Sequence, residues 1–211
     1  MARLLGVEPS ALVEGRALPL RAVNTSIYLR GAGATANPST LFLDTAPPTA
    51  ATAKSKDAGV MKFAGGNGPL EIGSWQAALF DFPDSFNVLR SLSGLHVWLG
   101  LKNGDDQGVN VDLLAEVYKN SEKIGEGLVR CITGLTRDPG RAKEIVLVPT
   151  LGSAQTFNGD TDKLSVKLLT RIGTNPDETK CPGGHASAVG LRADFDAVGR
   201  ASRLDARLEE N

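Results

Sequence analysis

Apolar and polar residues alternate over long stretches of this chain. From Val109 to Tyr118, the residues Val109, Val111, Leu113, Ala115 and Val117 fall on one side. Asn110, Asp112, Glu116 and Tyr118 fall on the other, interrupted by Leu114. A side-chain period of two is that of a half-buried β-strand. Residues Lys119 to Lys123 then supply turn chemistry, and Ile124, Leu128 and Ile132 resume the alternation. The two segments read as a hairpin.

The same rule marks further strands. Leu95, Val97, Leu99 and Leu101 alternate with His96, Trp98, Gly100 and Lys102; Leu164, Val166, Leu168 and Ile172 alternate with Lys163, Ser165, Lys167 and Arg171. Val189, Leu191, Ala193 and Phe195 alternate with Gly190, Arg192, Asp194 and Asp196. Ile145 to Val148 is a short apolar run stopped by Pro149, and weaker strands are expected at 26–30, 40–44, 60–63 and 72–80. Loops rich in Gly, Pro, Asn and Asp separate them. Roughly eight to ten short strands with turn signals between them predict an all-β antiparallel sandwich or barrel. Val111, Leu113, Val117, Val166, Leu168, Leu191 and Phe195, each on the apolar side of its strand, are the expected core.

Two segments depart from this pattern. Leu204 and Leu208 lie four apart between Arg200 and Glu210, which predicts a short C-terminal helical tail over 200–211. Residues 1–60 are dominated by Ala, Thr and Pro, as in Thr45 to Ala53, a composition that prefers an extended path to a core of its own. The expected organisation is an extended N-terminal arm over 1–60, a β-sandwich body over 61–199 and the tail. The arm's expected anchors are Leu18, Leu20, Ile27, Tyr28, Leu29, Leu41, Phe42 and Leu43, seated on the chain's own body or on a neighbour. The alternative is that these groups are ordinary strands of the same sandwich.

Composition narrows the partners. With 211 residues and a formal net charge of −1, the chain has no global electrostatic attraction for nucleic acid or acidic membranes. No apolar run approaches the length of a membrane span. The opening residues, interrupted by Glu8 and Pro9, do not read as a secretion signal.

Candidate chemistry is sparse. Cys131 and Cys181 form no Cys-x-x-Cys pair and the histidines are His96 and His185, so two free thiols or one long-range disulfide are the open readings. Cys181 and His185 are close enough in sequence for a nucleophile and base, although nothing supplies an orienting carboxylate. Asp194 and Asp196 share the outer face of one strand, where a solvated surface is expected rather than acid–base work. Asp105 and Asp106, and Asp160 and Asp162, sit in short Asn/Asp/Gly loops that suit either calcium or tight turns. Trp75, Trp98 and Tyr118 are the aromatic side chains available as a sugar platform, with Trp98 expected in the core.

The strand pair around Ala115-Glu116-Val117-Tyr118-Lys119-Asn120, the closing strand Ala188 to Asp196, and Trp98 on a central strand together resemble jelly-roll β-sandwich modules of virions and bacterial surface proteins. The resemblance covers 67–200 and is architectural. Members of such groups bind sugars, form coats or do both, and no enzymatic role is expected of this chain. The expected function is structural assembly, as a bacteriophage or virus coat, decoration or tail component that self-associates, or docks on other protein subunits, through its arm. The alternative is a carbohydrate-binding or adhesive surface module, with glycan as partner and calcium as a stabiliser. Either places the chain on a virion or an extracellular surface.

Overall fold

A computed structural model describes residues 21–63, 68–77 and 86–210. The first strands are β1 (Ala22–Gly31), β2 (Leu41–Asp44), β3 (Lys54–Asp57), β4 (Met61–Lys62) and β5 (Leu70–Gln76). The middle of the chain forms β6 (Val88–Leu101), β7 (Val111–Lys119), β8 (Glu122–Ile132), β9 (Lys143–Leu147) and β10 (Thr150–Leu151). The last five are β11 (Gln155–Thr156), β12 (Leu164–Ile172), β13 (Ser187–Ala188), β14 (Leu191–Phe195) and β15 (Arg203–Glu209). Among the described residues, helix is limited to two single turns of 3-10 type, at Gly104–Asp106 and Pro139–Arg141. The protein is all-β.

Thirteen strands share one mixed sheet, in the order β10-β8-β7-β12-β5-β2-β1-β15-β6-β14-β3, with β9 and β11 also on β6. All pairings are antiparallel except the single contact of β2 with β5, where Phe42 faces Gln76 in parallel. The path bends over one core: Trp75 on β5 meets Phe195 on β14 edge to face, ring centroids 5.2 Å apart, although these strands lie far apart along the sheet. Gly73 permits this. A Cβ there would lie 2.8 Å from the Trp75 ring, so a larger residue would displace the indole.

The alternation translates directly into burial. Val111, Leu113, Val117, Val166, Leu168, Leu191 and Phe195 are all fully enclosed. The β7–β8 hairpin turns at Asn120-Ser121, with Lys119 facing Glu122 and Asn120 at φ 55°, a left-handed conformation that Asn tolerates. Trp98 differs from expectation: it lies half-buried on the outer side of β6, with the Arg200 guanidinium 4.5 Å from its ring centroid. Trp75 is the core indole.

The C-terminal helix is corrected to a strand. Leu204 and Leu208 satisfy a period of four, but with Ala206 between them they also satisfy a period of two, and all three are buried. The strand form wins because β15 is inserted between β1 and β6 and bonds to both, which a helix could not do. The arm is corrected in the same way. β1 pairs with β15 and β2, and β3 pairs with β14. Ile27, Leu29 and Leu43 belong to the core, while Tyr28, Leu41 and Phe42 are half-buried. The Ala/Thr/Pro-rich stretches are the connections between these strands, so no boundary near residue 60 divides the described residues. Leu18 and Leu20 lie outside them.

Candidate functional site

The outer side of β5, β12 and β7 carries a row of polar side chains, because the core takes the alternate positions. The register aligns them: Tyr118 faces Ser165, which faces Gln76, and one step along Glu116 faces Lys167, which faces Ser74. Thr40 and Leu41 at the head of β2 and the Asn120-Ser121 turn rise at the ends of this row. Together they enclose a groove of about 630 Å³, within the range of small-molecule sites.

Each side chain's chemistry is set by its neighbours. The Tyr118 hydroxyl donates to Glu116 Oε2 at 2.7 Å. That bond, with some burial, holds the phenol above its usual pKa. Lys167 Nζ stands 5.3 Å from the Tyr118 ring centroid, an ammonium–aromatic contact. At the turn, Asn120 Nδ2 donates to Asp162 Oδ1 at 2.8 Å, and Asn120 Oδ1 accepts from the Lys163 N–H at 2.9 Å. Asp162 also accepts from the Asn158 N–H and pairs with Lys119 at 3.1 Å. Led by the Asn158 bond, these contacts lower its pKa to about 2. The groove thus offers hydroxyls, carboxamides, an ammonium and one aromatic ring on a rigid sheet. That mixture of donors and acceptors suits a polyhydroxylated ligand.

Tyr118 is one of three aromatic side chains singled out in the sequence, and the one that lines this groove. Ser74, Gln76, Asn120, Ser165 and Lys167 were not identified as site residues. Ser165 and Lys167 are visible as the polar side of an alternating strand, but their meeting with Tyr118 and Gln76 depends on strand pairing.

The other candidates are placed elsewhere. In the first calcium loop, the Asp105 N–H bonds Asn103 Oδ1 at 3.3 Å, and Asp106, buried, accepts from the Val189 N–H at 2.8 Å. In the second, the Asp160 N–H bonds Asn158 Oδ1 and Asp162 holds the hairpin turn. The bonds at Asp105 and Asp160 are local turn bonds, whereas Asp106 and Asp162 hold Val189 and Asn120 across the fold. Among the described residues, none of the four belongs to a cluster of three acidic, His or Cys ligands within reach of one ion.

Cys131 and Cys181 form a disulfide across 50 residues, with Cα atoms 5.9 Å apart. This removes Cys181 as a nucleophile, and His185 is exposed. The bond ties the 173–184 loop to β8 above a buried carboxylate, Asp112. Asp112 accepts from Cys131 N at 2.9 Å, Thr174 Oγ1 at 2.7 Å and Arg171 Nε at 3.0 Å. Glu178 closes the cluster on Arg171 and Arg130.

Asp194 and Asp196 are buried rather than solvated. Arg192 caps Asp194 with two bonds, of 2.8 and 3.3 Å, while burial pushes its carboxyl above the ordinary range. Asp196, at φ 59°, holds Arg30 Nε at 2.5 Å and Lys54 Nζ at 2.7 Å. The cations that pair with each carboxylate offset the cost of burying it.

No family model matches the chain, and no curated protein matches it. Solved structures share its fold. A CocE/NonD family hydrolase from Staphylococcus aureus, seen in two crystal structures, aligns with TM-scores of 0.52 and 0.53 at 16% and 15% identity, over 90% and 92% of this chain. An aminopeptidase from a marine sediment archaeon, Thaumarchaeota archaeon, aligns with a TM-score of 0.54 at 10% identity over 89% of this chain. In each case the chain spans 37% of the other protein's length. At these identities the likeness is one of fold.

Proposed function

We propose that this chain is a non-catalytic β-sandwich of jelly-roll type that binds carbohydrate in the groove between β2, β5, β12 and β7. The observation that carries the reading is the Tyr118–Ser165–Gln76 row, where an aromatic ring, a hydroxyl and a carboxamide stand side by side on a rigid surface. Sugars present alternating hydroxyls and apolar ring faces, which this row matches with polar groups beside an aromatic face.

One further observation favours it. The disulfide suits an oxidising compartment, which fits an extracellular or virion surface. Of the features that suggested a coat or decoration role, the arm is built into the chain's own sheet from residue 22 onward, while the β-sandwich body is common to both readings.

The test is a glycan array with the full chain, followed by calorimetric titration of the best ligand against Tyr118→Ala and Gln76→Ala. Both positions are on the outer face, so both variants should melt near the parent. Each is expected to weaken binding at least about tenfold, or 1.4 kcal/mol. Absence of any glycan binding, or binding indifferent to both changes, would overturn the proposal.

A further inference from the structure

The groove does not stand alone. A second cavity of about 380 Å³ opens on the same side of the sheet, floored by Leu114, Leu128 and Val148 and edged by Glu116, Glu126 and Thr150. Glu116 lines this cavity and Tyr118 lines the first; the two are joined by the 2.7 Å hydrogen bond. Their register is continuous, since Leu114 faces Leu128 and Glu116 faces Glu126 across β7 and β8.

We infer that the two cavities form one site for a linear, uncharged polysaccharide that crosses the sheet diagonally. The inference rests on the carbohydrate reading above and adds ligand length and charge to it. Gln76 and Leu128 lie on opposite flanks of a four-strand span, offset by about four residues along β7. With strands about 4.8 Å apart and a rise of about 3.3 Å per residue, the two ends are roughly 20 Å apart, room for several pyranose rings.

The chemistry of the two halves is complementary. The first half is rich in hydroxyls and amides. The second offers an aliphatic floor between carboxylates, which suits the apolar face of a ring whose rim hydroxyls donate outward. Leu128 is 40% exposed and Val148 57% exposed, so the floor is open to a ligand. The charged groups at the junction neutralise one another: Lys123 Nζ lies 2.6 Å from Glu126 and 3.7 Å from Glu116, and Lys167 rests on Tyr118. No net charge is left to select an ionic chain.

The test titrates the full chain with neutral oligosaccharides of glucose, mannose and xylose in graded lengths, from the monosaccharide upward. Affinity should climb at least about tenfold from the disaccharide to a chain that fills both cavities, then level off. Leu128→Asp and Val148→Asp, both at exposed positions, should remove that gain while leaving short-oligomer binding intact, with melting temperatures recorded to verify folding. Affinity independent of length, or a length gain that survives both variants, would confine the site to the first groove, overturning the inference but not the proposed function. Selective binding of charged oligosaccharides would overturn the uncharged assignment. No binding to any of the series, with an empty array, would overturn both.

Discussion

Thr174 Oγ1 donates to Asp112 Oδ2 at 2.7 Å, joining a strand carboxylate with no solvent exposure to a loop 62 residues further on. The Thr174 and Cys131 N–H groups and Arg171 converge on the same carboxylate. Asp112→Ala leaves these donors unmatched and should cost about 3–5 kcal/mol, as expected when one partner of a buried pair is removed. Asp112→Asn keeps an acceptor and should cost less. Chemical denaturation of the two variants checks both the magnitude and the order.

The disulfide gives a second prediction. Thiol titration of denatured, non-reduced protein should find neither cysteine reactive. Reduction should lower stability by about 4 kcal/mol, the chain-entropy value for a loop of this length. Two titratable thiols in protein prepared under oxidising conditions would refute the bond.

Core packing is probed at Leu168, which has no solvent exposure and lies in β12 between β7 and β5. Leu168→Ala should cost about 2–5 kcal/mol, the range for a large-to-small change in a close-packed interior. An unchanged melting temperature would refute the register assigned to β12.

Asp162 makes the hairpin turn pH-sensitive. Its pKa is lowered from 3.8 to about 2 by the bonds from Asn158, Asn120 and Lys119. A carboxylate with a depressed folded-state pKa stabilises the fold fully above its unfolded value, and that contribution disappears as pH falls through the folded value. Stability should therefore fall between about pH 4 and pH 2, and Asp162→Asn should flatten that part of the profile. Thermal melts across this range, parent against variant, provide the measurement.

Removing residues 1–56 should unfold the protein, because β1 and β2 sit inside the sheet, between β15 and β5, and take Ile27, Leu29 and Leu43 with them. Far-ultraviolet circular dichroism of the truncated chain decides it. A folded truncation would restore the arm as a separate element.

How far the sequence could be read depended on whether a feature was local. The alternation of β7, β12 and β14 is local, and it names the core side of each strand. The β15 segment is local too, but Leu204, Ala206 and Leu208 fit two periods at once, and only its neighbours β1 and β6 select the strand. Composition misled over 1–60, because Ala, Thr and Pro are concentrated in the connections and dilute the strands they join. The groove was not legible in the sequence. Gln76, Tyr118 and Ser165 come together through pairings whose partners are not encoded in any short window. Cys131 and Cys181 remained open for the same reason: their approach depends on the fold.

Arg21 bonds Glu210 across 189 residues, at the end of the β1–β15 pair. During synthesis at about 5–20 residues per second, β1 leaves the ribosome roughly 10–40 s before its principal partner exists. Through that interval Ile27 and Leu29 have no β15 to cover them, and the sheet cannot be completed from its first half. The β1–β15 seam is therefore among the last contacts of the described strands to form, set only after β5, β7 and β12 are available to pair.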